Sequence, residues 1–388
     1  MKKGTDSTLV RAHNEQRIIQ IVREHISIAR PQLAKIINLS HPAVSVITDE
    51  LIDRGLLLNA GREKLGRRGQ PAISLKLNPD ALYTLGVSIE RDNISIALLN
   101  FCGEVLNSAT IEIMYPSPEQ ALDYVSSTVA DMKTKLSANA DRIKGCGIAI
   151  SSLMGALEHG DVPKQFNTWQ NIDVKAYFIG CVGCPIVVER VATVATIAEN
   201  FFGYGKVTSN FIYLYTGLYF GGGIILNGEL YRGSNGRAGD MALSSVNDNG
   251  KLRNLVDCCS LQDLQEVLSV SNGDTDVNLT DLSSIDDRQR ELIEYWVDDA
   301  ARKLAPILIT AISVLDINTI VVGGRLPQFI NQMICDRVNL SVDKHFSIHH
   351  HPCKLVAGEW LDHLTALGAA ILPLYDTFST RDASFSKR

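Results

Sequence analysis

Residues 211–240 read FIYLYTGLYFGGGIILNGELYRGSNGRAGD. Phe211–Tyr215 is a run of large apolar and β-branched residues, the pattern of a buried strand. Gly221–Gly223 leads into Ile224-Ile225-Leu226, a second strand, and Asn227-Gly228 supplies the two positive-φ positions of a tight hairpin turn. Glycine carries no Cβ, so Gly221–Gly223 admits close approach of either another backbone or a ligand. Tight sheet packing and a binding loop are both open at this point.

Working outward, the chain has 388 residues, enough for two or three domains, and an apolar fraction of 45% that can fill large cores. No segment approaches the roughly 18 uninterrupted apolar residues of a membrane span. The opening residues MKKGTDSTLVRAHNEQ contain no apolar h-region, so no secretion and no membrane insertion are expected. Eight cysteines scattered along so long a chain do not form a disulfide framework, which makes the cytoplasm the expected location. Charge is uneven. Residues 1–80 hold 13 Lys/Arg against 8 Asp/Glu, and the remainder holds 24 against 35. A basic head on an acidic body points to nucleic acid as a partner of the head alone.

In that head, Asn14–His25 carries Ile18, Ile19, Ile21 and Val22 at helical spacing, Pro31 suits the first turn of a helix over Pro31–Ile37, and Asn38-Leu39 forms the turn. Ser40 is a good N-cap for a third helix, His41–Arg54, and Gly55 a good stop. Val44, Ile47 and Leu51 share one face of that helix. Pro42, Ser45, Val46 and Asp49 share the other, with His41 at its start. This is the layout of a helix-turn-helix, in which Ser45 can hydrogen-bond a base edge or phosphate and Val46 can touch a thymine methyl. Leu56–Leu58 and Ala72–Leu77 read as strands around Gly61-Arg-Glu-Lys-Leu-Gly-Arg-Arg-Gly-Gln-Pro71, a wing that presents Arg62, Lys64, Arg67, Arg68 and Gln70 to a narrow groove or to phosphates. Ala29 stands where a Ser or Thr cap is expected for the second helix.

Downstream, Tyr83–Ser88, Ile94–Asn100, Gly145–Ile150 and Pro185–Val188 read as strands and Pro118–Leu136 and Ala192–Tyr204 as helices, an α/β alternation. Asp286–Leu315 is a long helical pattern with Pro306 as a possible kink, and Ile317–Val322 is a strand ending at Gly323-Gly324. Thr377–Arg388 reads as a frayed tail. Cys181-x-x-Cys184 is a lone pair with no second ligand pair. His349-His350-His351 with Cys353 is either a metal-catching tract or a surface loop or strand lead-in, and a loop or lead-in is the expectation.

Gly-Gly-Gly-Ile-Ile at 221–225, Asn227-Gly-Glu-Leu, Gly233 and Gly236-Arg-Ala-Gly-Asp240, together with the Arg-Arg-Gly-x-Pro wing, resemble the ROK family, in its sugar-responsive repressor branch of N-acetylglucosamine- and xylose-repressor-like proteins. The resemblance implies an α/β protein with an N-terminal winged helix-turn-helix at 1–77. A two-lobed actin-like (ribonuclease-H-like) ATPase-fold body would follow, with a first lobe at 78–190 and a second at 191–388 whose final helix, Trp360–Tyr375 with Gly368-Ala-Ala, returns to the first lobe. It also implies sugar contacts at Asn167 (before Trp169), Glu189, Arg190 and Asp240. A loop Asn capping a turn explains Asn167 equally well.

The departures from the family carry the functional reading. Where its kinases have Asp-x-Gly-Gly-Thr, this chain has Ser88 and Glu90-Arg91-Asp92, poor chemistry for holding phosphate. Where they have the general base, it has Val191, which cannot accept a proton, beside Arg190 in place of an Asn. Gly217-Leu218-Tyr219 replaces Gly-Thr-Gly. Leu243 replaces a zinc-binding His, and adjacent Cys258-Cys259 cannot complete a tetrahedral site, so no metal and no cofactor are expected. The expected protein is a DNA-binding transcriptional regulator, a repressor of carbohydrate-related genes, with a catalytically inactive body. Such a protein would read an inverted-repeat operator in double-stranded DNA as a homodimer or homotetramer. Its effector would be a sugar, a sugar phosphate or a partner protein. The alternatives are a sugar kinase with an appended DNA-binding head, and a protein scaffold that no longer binds DNA.

Overall fold

The computed structural model describes residues 7–63, 72–151, 168–248, 250–272, 285–346, 352–359 and 363–378. The chain starts with α1 (Ser7–His25), β1 (Ile28–Ala29), α2 (Arg30–Ile37), α3 (His41–Asp53), β2 (Leu57–Glu63) and β3 (Ala72–Leu77). The three strands form an antiparallel sheet in the order β1-β3-β2. Ile18, Ile19 and Val22 of α1, Leu33 of α2, and Val44, Ile47 and Leu51 of α3 meet Leu57 and Leu75 in one core. Ser40 caps α3, its Oγ accepting from Ala43 N at 3.4 Å. Ala29 has a positive reason that the helix pattern hides. It is a fully buried residue of β1, paired with Ser74, where a polar cap would be desolvated. Gln32 compensates by accepting from Ala29 N at 3.3 Å.

Next come β4 (Tyr83–Ile89), β5 (Asn93–Asn100), β6 (Val105–Glu112), α4 (Pro118–Leu136), β7 (Ile143–Ile150), α5 (Val174–Val182) and β8 (Ile186–Arg190). Then follow α6 (Val191–Phe202), β9 (Phe211–Thr216), β10 (Phe220–Leu226), β11 (Glu229–Tyr231), the hairpin β12 (Ser245–Asp248) with β13 (Lys251–Asn254), and α7 (Leu261–Asn272). The chain ends with α8 (Asp287–Leu315), β14 (Thr319–Gly324), α9 (Gln328–His345), β15 (Lys354–Ala357) and α10 (Leu364–Phe378). The sheet orders are β6-β5-β4-β7-β8 and β11-β10-β9-β14-β15. In each, three antiparallel strands precede two parallel additions, so both lobes have the same 3-2-1-4-5 topology.

Two helices join the lobes. α6 lies on β10, and Gly221–Gly223 is the seat. A Cβ on Gly221 would stand 2.7 Å from that of Ala192, and one on Gly223 would overlap Thr196. The triple glycine is therefore explained by helix packing, with Gly221 also lining the cleft described below. Asn227 (φ 55°) and Gly228 (φ 78°) make the expected hairpin turn. α10 packs on β4, β5 and β7 of the first sheet, on α6, and on α1 of the head. α8 runs unbroken through Pro306. No helix among the described residues is long and apolar enough to cross a membrane.

Candidate functional site

On the head, Ser40, His41, Pro42 and Val46 are exposed and Ser45 is half-buried, so the outer face of α3 stands free of the core. Arg30 pairs with Asp49 at 2.5 Å at its edge. The β2–β3 ladder is paired up to Arg62↔Ile73 and Glu63↔Ala72. Lys64, Arg67, Arg68 and Gln70 lie outside the described residues, as do Asn167 and His349–His351.

Between the lobes, the structure brings Glu189, Arg190 and Asp240 together. Arg190 Nη1 reaches Asp240 Oδ2 at 2.9 Å, and Nη2 donates to Gly236 O at 2.7 Å. Glu189 is ion-paired with Arg232. Arg190 and Asp240, with Val191, Ala192, Leu218, Tyr219, Phe220 and Gly221, close around a cavity of about 40 Å³, room for a few waters but not for a sugar. Arg190 therefore fills the cleft that its neighbours form. Val191, at the first turn of α6, is 6% exposed and offers only methyl groups.

The Glu90-Arg91-Asp92 loop ties the lobes together. Tyr215 OH of β9 donates to Glu90 Oε2 at 2.6 Å, and Thr365 Oγ1 of α10 donates to Glu90 Oε1 at 2.9 Å. The Arg91 guanidinium lies 3.5 Å from the centre of the Tyr219 ring. Asp92 pairs with Arg325 at 3.0 Å, and Arg325 also reaches Glu112 at 3.3 Å. Burial pushes the Glu90 carboxyl above the usual carboxylate range and the charge of Asp92 adds to this, against the pull of Arg325, Tyr215 and Thr365. Burial acts against the Arg325 cation, yet Asp92, Tyr215 and Glu90 hold it above its ordinary value. Carboxylates and aromatic rings packed in this way repel and crowd a phosphate. Sequence reasoning identified the altered loop but not its partners Tyr215, Arg325 and Thr365, because all three are distant in sequence and sit in segments that read as ordinary strand, turn and helix.

A further contact joins head to body. The Arg23 guanidinium of α1 stands 5.6 Å from the ring centres of both Phe101 and Phe201. Burial pulls its pKa down to about 10, against the charges of Cys102 and Glu24. α6 thus begins at the cleft and ends against the head. Cys258 and Cys259 are buried thiols, Leu243 is half exposed, and no cluster of three or more His, Cys, Asp or Glu among the described residues can hold a metal ion.

A winged helix-turn-helix on a two-lobed body with duplicated 3-2-1-4-5 sheets defines an actin-like protein carrying a winged-helix head. A model described as the ROK family matches residues 84–375, and the chain belongs to that family. It is similar to the xylose repressor of Caldicellulosiruptor bescii, 28% identical over 62% of this chain and 60% of that protein. It is also similar to the DNA-binding transcriptional dual regulator NagC of Escherichia coli, 25% identical over 63% of this chain and 60% of that protein. The match thus spans about three fifths of the length of these relatives. Among solved structures, a ROK family transcriptional regulator described as a homolog of the E. coli MLC protein superposes over 95% of this chain and 98% of its own, with a TM-score of 0.69 at 20% identity. A ROK family glucokinase from Streptomyces griseus in complex with glucose and AMPPNP superposes over 75% of this chain and 98% of its own, with a TM-score of 0.58 at 19% identity.

Proposed function

We propose that the protein is a sugar-responsive, DNA-binding transcriptional repressor whose ROK body performs no phosphotransfer. The observation that carries the reading is the free outer face of α3, with His41, Pro42, Ser45 and Val46, on a head docked against a body whose phosphate-side loop is engaged in a lobe-to-lobe clasp. The names of the repressor relatives support it. In this reading residues 1–77 are the reader, with Ser40 and the wing residues Arg62, Lys64, Arg67, Arg68 and Gln70 on phosphates and groove edges. Residues 78–190 and 191–388 are the two lobes of the sensor. A homodimer or homotetramer in the cytoplasm matches its two-fold symmetry to an inverted-repeat operator. Val191 supports the absence of catalysis, since it has no group to take the proton of an attacking hydroxyl. At the cleft, an effector that engages Glu189, Arg190, Asp240 and Asn167 must first displace Arg190 from Asp240. A protein effector acting on the closed body is the other route.

Selection of the full chain on a random duplex library tests the proposal. Enrichment of an inverted repeat, with no sugar-dependent ATP turnover by the same preparation, is the expected result. Failure to enrich any duplex, or measurable sugar phosphorylation, would overturn it.

A further inference from the structure

A second cavity lies on the opposite side of the clasp. Its volume is about 280 Å³, and Glu90 and Tyr215 form the wall it shares with the collapsed cleft. Its floor is the first-lobe sheet. Cross-strand register aligns Ser88, Ser95 and Thr110 in one row over β4, β5 and β6, and sets Asn93 opposite Glu112 in the next. Side chains two apart share a face, so this patch continues the face that buries α10 and becomes polar where that helix begins. Leu364 and Thr365 close one end and Gly324-Arg325 roofs it from the second lobe. Thr110 Oγ1 and His363 Nδ1 share a hydrogen bond of 2.6 Å at its edge.

Ser95 is the informative residue. It is 3% exposed, lines this cavity, and its Oγ has no partner among the described residues. A buried hydroxyl without a partner costs free energy that Ala at the same place would not. Such a group persists when something else completes its hydrogen bonds. The electrostatics narrow what that is. Glu90 and Glu112 line the space, and the guanidinium of Arg325 is already shared between Asp92 and Glu112. An added phosphate or carboxylate would meet carboxylates, and the one cation among the described lining residues is already engaged. Hydroxyl groups, each donor and acceptor at once, match Ser95, Thr110, Thr365, Asn93 and the carboxylates. The volume is at the small end of ligand pockets and excludes a nucleotide.

We propose that this second cavity binds a small uncharged polyhydroxylated molecule of monosaccharide size, with Ser95, Thr110 and Asn93 on its hydroxyls. The site rests on the regulator reading only for its consequence. A ligand there touches Glu90 and Tyr215 of the clasp and the first turn of α10, whose other contacts include α1 of the head.

The test is calorimetric titration of the full chain with D-xylose, D-glucose, N-acetyl-D-glucosamine and D-glucose 6-phosphate, repeated on Ser95→Ala, Thr110→Val and Asp240→Asn. At least one neutral sugar binds the parent, and the phosphate does not. Ser95→Ala leaves the unliganded melting temperature equal or higher, and weakens binding about tenfold, as expected for one hydrogen bond. Thr110→Val weakens binding similarly. Absence of binding by all three neutral sugars overturns the site, as does binding that Asp240→Asn abolishes and Ser95→Ala leaves intact. Duplex binding measured on the same preparation keeps the two readings apart, because it tests the regulator and not the cavity.

Discussion

Replacing Tyr215 by Phe removes one oxygen from the centre of the clasp and leaves ring packing unchanged. Tyr215 is 3% exposed and Glu90 is 7% exposed, and their hydrogen bond of 2.6 Å crosses from the second lobe to the first. Without it Glu90 Oε2 loses its donor in a desolvated setting, while Oε1 keeps Thr365. Leaving a buried acceptor unsatisfied costs about 1–3 kcal/mol. The loss is local to lobe closure, so a global melting curve of a multi-lobed chain is a poor readout. Hydrogen exchange of the peptide covering residues 89–95 is a direct one, since that hairpin carries Glu90. An opening free energy lowered by about 1–3 kcal/mol speeds its exchange by about 5- to 150-fold, and α4 on the outside of the same lobe stays unchanged. A change below about twofold, or an equal change in α4, would refute the assignment of Tyr215–Glu90 as an interlobe clasp.

Other perturbations test neighbouring steps. Because Glu90 has its folded pKa raised above 4.5, its contribution to stability is fully present below that value and is lost as pH rises through the raised value. Glu90→Gln, which mimics the protonated form, should flatten the pH dependence of lobe closure in that window, as read by hydrogen exchange. Val191→Asp adds a carboxylate at the cleft, but phosphorylation of sugars should stay at background in a coupled ATP assay, since Glu90 and Tyr219 crowd the same cavity. Arg23→Asp places an anion against the faces of Phe101 and Phe201, an arrangement that the ring quadrupoles oppose. Limited proteolysis should then cut faster between head and body than in the parent, whereas Arg23→Leu should not accelerate it.

Much of the fold was legible because its central strands are buried along their length and its turns carry strong local chemistry. β4 and β5 are buried along their whole length, Asn227-Gly228 fixes its turn, and Ser40 and Gly55 bracket α3 to within a residue. β6 was not legible, since VLNSATIE is an edge strand with no residue fully buried and little alternation. β1 was hidden because two residues carry no periodicity, and so the burial of Ala29 could not be foreseen. α9 has no side-chain cap at its start, whereas α5 and α7 begin at the caps Asp173 and Ser260, short-range signals that were present in the sequence and passed over. At the cleft, the charged or apolar character of Glu90, Asp92, Arg190 and Val191 was visible, but their contacts were not. Nothing in the sequence around Arg190 indicates that it will pair with Asp240 fifty residues away. The second cavity left no motif at all, because it arises where a polar row across three strands meets the start of α10 and a turn of the other lobe.

A head that reads duplex DNA through α3 and the wing must bind with a steep dependence on salt, because its cations displace counterions from the phosphates. Fluorescence anisotropy of the full chain on an enriched inverted repeat, from 50 to 200 mM salt, should show affinity falling by about 10³- to 10⁵-fold for a dimer that neutralises 6–10 phosphates. Arg67→Ala with Arg68→Ala should weaken binding at every salt concentration and lower the log–log slope by about 0.9 for each phosphate no longer neutralised. A slope near zero in the parent protein, or an unchanged slope in the double variant, would contradict DNA reading by this head.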